Sequence, residues 1–254
     1  MQVIVGCCGI PVSRAKYFEA LKAVELQNTF YDLPTEDWAR SFRSSIPEDA
    51  IVTVKAWQVI THPHTSPTWR RMKRKPSGDL SKYGFLRPTK ENLEAWEKLR
   101  RIAQILGSKA IVFQTPPSFG YSEENLRNAI EFFKTVVRSE FLICWEPRGT
   151  WLQHTEAIRK VVSLGVVHVV DILKRDPIVP EDGTPALYTR LHGLGGEINY
   201  RYKYTDSDLQ ELADKVSRYS SVTPQFYVMF NNIYMFNDAV RFKNLAAEKG
   251  LAVV

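Results

Sequence analysis

The chain has 254 residues, of which 44% are hydrophobic and 24% charged, so it has the composition of an ordinary folded domain and not of a disordered or fibrous chain. No apolar run reaches the ~18 residues that a membrane span needs, and three cysteines are too few for a disulfide framework. These features predict a cytoplasmic protein without membrane association, folded as one domain over residues 1–254.

Short apolar runs alternate with amphipathic stretches along the whole chain. The runs predict eight strands: Val3–Cys7, Val24–Gln27, Ile51–Lys55, Ala110–Gln114, Phe141–Trp145, Val167–Asp171, Ala186–His192 and Phe226–Asn231. The stretches predict seven helices: Ser13–Lys22, Thr35–Ser45, Thr89–Leu106, Ser122–Arg138, Trp151–Leu164, Asp206–Tyr219 and Asn237–Lys249. The sixth connection, residues 172–185, has no helical period and is expected to be irregular.

This alternation, with a step of roughly 30 residues, predicts a (β/α)₈ TIM-type barrel. A doubly wound open sheet is the alternative. That fold needs a glycine-rich turn after its first strand, and Gly6 and Gly9 form only a weak version of one.

A basic insertion over residues 61–88 follows the third predicted strand. It contains seven lysines and arginines against one aspartate, whereas the remaining 27 basic and 27 acidic residues cancel, so it carries the whole net charge of +6. We expect a partly ordered excursion on the C-terminal face of the barrel, in which His62 and His64 are solvated.

Basic residues interleaved with aromatic ones suit phosphate contact and base stacking, although a plain solvated surface is the alternative. The candidates for nucleic-acid binding in the insertion are Trp69, Arg70, Arg71, Lys73, Arg74 and Lys75. Arg201 and Lys203 are the matching candidates in a tyrosine-rich loop after the seventh strand.

Nearly every predicted strand ends in a polar side chain, and in this fold the C-terminal ends of the strands form the active face. The candidate catalytic residues are Glu25, Lys55, Glu146, Asp171, Arg190 and His192. The candidate substrate-binding residues at the same ends are Gln27, Asn28, Gln114, Arg148, Asn231 and Asn232.

These residue types permit three chemistries. Glu146, Asp171 and His192 could bind a divalent cation such as Mg²⁺ or Mn²⁺, with Glu25 as a fourth ligand. Alternatively, the two glutamates could act as general acid and base while Lys55 and Arg190 hold an anion. Lys55 could also form a Schiff base, but nearby carboxylates would oppose the required loss of its proton.

Six short motifs run in order over nearly the whole chain. They are V-E-L-Q-N-T-F-Y at Val24–Tyr31, V-K-A at Val54–Ala56, F-Q-T-P-P-S-F at Phe113–Phe119, W-E-P-R-G-T-W at Trp145–Trp151, R-L-H-G at Arg190–Gly193 and F-N-N at Phe230–Asn232. With them the chain resembles the domain-of-unknown-function 72 family, the YecE-like proteins. The family usually has G-T-S-G-W where this chain has Gly6–Ile10, and asparagine at the position of Gln27, which indicates a divergent branch.

The resemblance implies a TIM-type barrel and a characteristic polar set at its strand ends. That set corresponds to Glu25, Lys55, Gln114, Glu146, Arg148, Asp171, Arg190, His192 and Asn231. Through archaeal relatives, the resemblance also implies a link with DNA repair and endonuclease activity.

Three functions are compatible with these patterns. The first is a nucleic-acid phosphodiesterase, an endonuclease-like hydrolase acting on DNA rather than RNA, in which Glu146, Asp171 and His192 hold a metal or activate water. The second is an acid–base enzyme acting on a small anionic or sugar-like substrate. The third is a nucleic-acid-binding protein without catalysis. No pattern specifies an oligomeric state.

Overall fold

The structure, a computed structural model, describes residues 1–254 and contains one sheet of parallel strands. The strands are β1 (Gln2–Cys7), β2 (Ala23–Leu26), β3 (Ile51–Lys55), β4 (Ala110–Gln114), β5 (Leu142–Glu146), β6 (Val167–Val170), β7 (Leu187–Leu191), β8 (Gln225–Phe230) and β9 (Ala252–Val253). Strands β2 to β8 follow one another in chain order, and β1 pairs with both β8 and β2. The first eight strands therefore close a barrel, which confirms the (β/α)₈ prediction and contradicts the open sheet.

Helices surround the sheet. They are α1 (Arg14–Ala20), α2 (Asn28–Tyr31), α3 (Glu36–Ser44), α4 (Gln58–Thr61), α5 (Lys90–Ile105), α6 (Glu123–Val136), α7 (Thr155–Val162), α8 (Asp206–Ser217) and α9 (Met235–Glu248). Side-chain hydroxyls begin several of them: Thr35, Thr89 and Ser122 each accept a backbone N–H of the first turn. Thr205 and Asp208 form a reciprocal capping box at the start of α8. As predicted, residues 172–185 contain no helix.

Two compact units make up the chain. The first unit comprises Met1–Glu25, Ile46–Ile51 and Val167–Val254, and the second comprises Leu26–Ser45 and Val52–Val166. Every residue of β2, β6 and β7 is buried, as expected for parallel strands covered on both faces. None of the helices is both long and apolar enough to span a bilayer.

The basic insertion is part of the second unit. It contains two 3₁₀ helices, Pro67–Arg71 and Leu80–Lys82. Its buried side chains are Thr61, His62, Trp69, Met72, Tyr83 and Leu86. Gly84 anchors its end, because its N–H donates to the carbonyl of Val59 at 2.7 Å and its φ is +85°. A Cβ at this glycine would lie 2.6 Å from the backbone of His62, so only glycine fits there. The expected partly ordered excursion is instead an anchored segment.

Trp69 is part of this packing, which corrects its assignment to base stacking. Its indole N–H donates to the carbonyl of His62 at 3.1 Å, and its ring meets Tyr83 edge-on at 6.2 Å. With 4% of its surface exposed, the side chain offers no face to a nucleobase. The residues around Trp69 are mostly polar, and this polarity wrongly indicated that its side chain is exposed to solvent.

We expect Trp69→Ala to lower the free energy of unfolding by about 3 kcal/mol, because it leaves a cavity beneath the insertion. Urea denaturation measures this change. Trp38, half-buried against Phe42, provides the control, and Trp38→Ala should have the smaller effect. Equal stability of Trp69→Ala and the wild type would contradict the packing described here.

Candidate functional site

A fully buried ion pair joins two strand ends in the first unit. Arg190 Nη2 lies 2.9 Å from Glu25 Oε1, and both side chains have 0% exposure. Tyr188 donates its hydroxyl to the second oxygen of Glu25 at 2.8 Å. Cys8 lies beside the pair, where burial and then the charge of Glu25 raise the pKa of its thiol well above the usual range. The geometry gives this pair a role in holding the strands, and direct contact with a substrate stays a prediction.

Asp171 links the ends of β6 and β7. Its Oδ1 accepts the N–H of Leu173 at 3.2 Å, and its Oδ2 accepts the N–H of His192 at 3.0 Å. The ammonium of Lys174 lies 3.2 Å from Oδ2 and also donates to the carbonyl of Glu197. Both carboxylate oxygens therefore fix neighbouring groups, including a cation and the backbone of His192.

His192 is held in a defined orientation. Its ring Nδ1 lies 3.1 Å from the amide nitrogen of Asn231, and the ring of Tyr200 meets it edge-on at 6.0 Å. An amide nitrogen donates, so this geometry favours Nδ1 as the acceptor and Nε2 as the nitrogen that carries the ring proton. With the backbone of His192 fixed by Asp171, the imidazole is oriented to donate through Nε2.

Asn232 supports the loop after β8, and its assignment to substrate binding stays a prediction. This buried side chain donates to the carbonyl of Tyr202 at 2.8 Å and to Asp238 at 2.7 Å. Asp238, fully buried near the start of α9, also accepts from the backbone of Tyr204 and from Arg241. Sequence reasoning missed Asp238, because an acidic residue in the first turn of a helix usually indicates only a favourable helix dipole.

Three polar candidates are the last residues of neighbouring strands in the second unit: Lys55 of β3, Gln114 of β4 and Glu146 of β5. Arg148 donates to Glu146 Oε1 through Nε at 3.1 Å and Nη2 at 2.8 Å. The ammonium of Lys55 lies 3.9 Å from the centre of the Phe30 ring, a cation–π contact. The strand-end positions that the sequence predicted are confirmed, and their catalytic roles stay predictions.

His62 is buried, which corrects the expectation that it is solvated; only His64 of that pair is exposed. Its Nδ1 lies 2.8 Å from the hydroxyl of Thr61, and its ring meets Phe30 edge-on. Burial, followed by the charges of Lys55 and Arg148, lowers the pKa of His62 to about 3. His62 is therefore neutral at physiological pH.

A measurable pH dependence follows from this lowered pKa. An unfolded histidine binds a proton near pH 6.5, whereas folded His62 binds one only near pH 3, so the unfolded state holds more protons between these values. The contribution of His62 to the free energy of unfolding should thus fall by about 1 kcal/mol as the pH drops from 6 to 5. Urea denaturation at both pH values should show a correspondingly smaller drop for His62→Gln; identical drops would contradict the burial of a neutral imidazole.

The candidate metal ligands belong to both units: Asp171 and His192 to the first and Glu146 to the second. The structure shows no group of three or more histidine, cysteine, aspartate or glutamate side chains placed to hold a metal ion. Glu146 pairs with Arg148 and Asp171 pairs with Lys174. Binding of a divalent cation by these three residues stays a prediction.

The basic side chains of the insertion divide into two sets. Arg71 donates to the hydroxyl of Tyr31, and Arg74 donates to the carbonyl of Leu33 and pairs with Asp32. Arg70, Lys73 and Lys75 are exposed and have neither an ion pair nor a side-chain hydrogen bond. Of the remaining candidates for binding, Asn28, Arg201 and Lys203 are exposed and Gln27 is half-buried.

Comparisons with known proteins identify the family. A DUF72 family protein from Enterococcus faecalis is 16% identical, with 97% of this chain and 98% of that chain covered and a TM-score of 0.69. One from Thermotoga maritima is 21% identical, with 97% and 100% covered and a TM-score of 0.66.

A xylose isomerase domain containing protein from Salmonella typhimurium is 14% identical, with 98% of this chain and 96% of that chain covered and a TM-score of 0.54. At these identities the structures show a common fold. No curated protein matches the sequence. The family model described as "Protein of unknown function DUF72" matches residues 13–252, and the chain belongs to that family.

Proposed function

We propose that the protein is an enzyme that transfers protons on a small, anionic, hydroxylated substrate. The orientation of His192 carries this proposal. Asn231 fixes its tautomer and Asp171 fixes its backbone, so the ring is prepared to donate a proton or a hydrogen bond through Nε2. Pre-oriented donors of this kind stabilise negative charge that develops on a substrate oxygen.

The neighbouring charge supports an anionic substrate. Asp171 holds the ammonium of Lys174, which is 12% exposed, on the same carboxylate oxygen that binds the N–H of His192. A phosphate or carboxylate group near His192 could therefore accept a hydrogen bond from an ammonium that Asp171 already holds in position. One of the predicted carboxylates, Glu25 or Glu146, would take the proton from the substrate carbon while His192 supplies a hydrogen bond or proton to the oxygen. Lys55 and Arg190 in catalysis, with Gln114 and Arg148 in binding, stay part of the proposal.

Proton transfer to carbon can be detected without knowing the product. Aldose phosphates, ketose phosphates and sugar acids are incubated with the protein in D₂O, and ¹H NMR follows the loss of C–H signals. The choice of sugars follows the fold shared with the xylose isomerase domain protein. We expect deuterium incorporation into at least one of these compounds, and none when His192→Gln replaces the wild type. Exchange that persists in the variant would contradict the role of His192.

A nucleic-acid phosphodiesterase, endonuclease-like and acting on DNA in repair, is the second candidate function. The observation that favours it is a set of exposed cations in the insertion that have neither an ion pair nor a side-chain hydrogen bond: Arg70, Lys73 and Lys75. Such cations release counterions when they meet phosphates. In this function Nε2 of His192 would protonate the leaving oxygen of the phosphodiester.

Salt dependence tests this second candidate. If Arg70, Lys73 and Lys75 all contact duplex phosphates, their replacement by alanine should flatten the slope of log affinity against log salt by about 3 units, at roughly 0.9 per contact. The control replaces three exposed cations in or just after α6: Arg127, Lys134 and Arg138. Equal slopes for the triple variant and the wild type would remove the insertion from nucleic-acid binding.

A further inference from the structure

The large hydrophobic side chains that the protein exposes lie together on two loops of the first unit. They are Ile198 and Tyr200 after β7, and Ile233 and Tyr234 after β8, with exposures between 39% and 60%. The N–H of Ile233 donates to the carbonyl of Tyr200 at 2.8 Å, so the two loops form one surface, here called the tyrosine surface. Apolar exposure concentrated in one place marks a binding surface.

Cations alternate with the aromatic rings of this surface. The ammonium of Lys203 lies 5.8 Å from the centre of the Tyr234 ring, and that of Lys16 lies 5.7 Å from the centre of the Phe236 ring. Arg201 is exposed between the tyrosines of the first loop. None of these three cations has an acidic partner, whereas nearby Arg241 is paired with Asp206 and Asp238.

A groove of about 950 Å³ adjoins the tyrosine surface. Lys16, Lys203 and Phe236 line it, so the alternation of ring and cation runs into the groove. The acidic side chains of this lining are Glu19 and Asp206. Asp206 pairs with Arg241, and two lysines without an ion pair outweigh Glu19. The groove therefore favours a ligand with negative charge and flat apolar parts.

We infer that the tyrosine surface and its groove bind single-stranded nucleic acid. A single strand presents unstacked bases and phosphates in alternation, which matches rings alternating with uncompensated cations. A duplex hides the faces of its bases, so the rings would gain nothing from it. An apolar protein partner would find three uncompensated cations unfavourable.

This inference deepens the second candidate function, because it names the form of the strand. The ring of Tyr200 lies 6.0 Å from that of His192, so a strand stacked on Tyr200 passes next to the proposed proton donor. Binding is measured without turnover, so the surface can be confirmed even where hydrolysis is absent, and hydrolysis can be found even where this surface plays no part.

Fluorescence anisotropy tests the inference. It measures binding of a labelled twelve-nucleotide oligo(dT) and of a labelled duplex of the same length, with thymidine monophosphate as a competitor. The double variant Tyr200→Ala/Tyr234→Ala loses two stacking contacts, so its affinity for oligo(dT) should fall at least about 25-fold. Its affinity for the duplex should change less than about 3-fold. The variant Tyr200→Phe/Tyr234→Phe keeps both rings and should bind like the wild type. Tyr121→Ala, in the second unit, is the matched control, and circular dichroism checks that each variant is folded.

Several results would overturn the inference. The first is a wild-type protein that does not bind oligo(dT) at low salt. The second is a wild-type affinity for the duplex that equals or exceeds its affinity for oligo(dT). The third is a Tyr200→Ala/Tyr234→Ala variant that binds oligo(dT) as tightly as the wild type. If thymidine monophosphate displaces the labelled oligo(dT) at the same concentration as unlabelled oligo(dT) does, the surface binds a free nucleotide instead. A wild-type dimer that the tyrosine variants dissociate, without any binding of oligo(dT), would assign it to self-association.

Discussion

Replacing His192 by glutamine is expected to lower kcat/KM by about 10²- to 10⁴-fold on any substrate that the protein turns over, because that is the usual contribution of a positioned general acid. Glutamine retains a donor but cannot pass a proton through a ring nitrogen. The fold should survive, since Asp171 binds the backbone N–H of residue 192 and not its ring. Steady-state kinetics on the substrate found by deuterium exchange or hydrolysis measures the loss.

Asn231 provides a sharper test of the same group. In Asn231→Asp, at a pH at which the imidazole is neutral, the carboxylate would accept from Nδ1, so the ring proton would leave Nε2 and Nε2 could no longer donate. A neighbouring carboxylate also favours the imidazolium, so turnover is compared above the pH at which the ring becomes protonated. In Asn231→Ala the tautomer would no longer be fixed, and a smaller loss is expected. His64→Gln, at an exposed histidine, is the control and should leave turnover unchanged. Activity equal to the wild type in Asn231→Asp would contradict donation through Nε2.

The second large effect concerns stability. Arg190→Met leaves the fully buried carboxylate of Glu25 without its guanidinium, and breaking a buried pair on one side lowers the free energy of unfolding by about 3–5 kcal/mol. Replacing both partners in Glu25→Leu/Arg190→Met removes the uncompensated charge, so the double variant should regain most of that loss. Guanidinium denaturation at pH 7 compares the three proteins. If the double variant is as unstable as Arg190→Met, the instability of Arg190→Met does not come from the uncompensated charge of Glu25.

The sequence predicted the strands well because parallel strands buried on both faces are nearly continuous apolar runs. Most of their bounds are shifted by a residue, as in β5, where Glu146 is the last strand residue and not the first residue beyond it. The two-residue strand β9 is too short for any period to indicate it. The closure of the barrel was predicted because eight such runs recur at a regular step.

The functional groups were harder to predict, because their environments depend on contacts between distant segments. The R-L-H-G motif placed both Arg190 and His192 at the end of β7, but alternation along the strand does not reveal that the arginine is fully buried. Trp69 and His62 lie in a polar stretch that indicated solvent exposure, and Gly84, more than ten residues away, fixes the backbone that buries them. Ion pairs were equally hard to predict: the residue types suggested metal ligands and gave no sign that Glu146 pairs with Arg148 and Asp171 with Lys174.

The most direct test is the position of the ring proton of His192, because the proposed chemistry depends on it. Long-range ¹H–¹⁵N NMR of the protein labelled at its five histidines distinguishes the two neutral tautomers, and the His192→Gln variant assigns the signal. We expect neutral His192 to carry its proton on Nε2, and Asn231→Asp to move the proton of the neutral ring to Nδ1. A wild-type His192 that carries its proton on Nδ1 would contradict the proposed role.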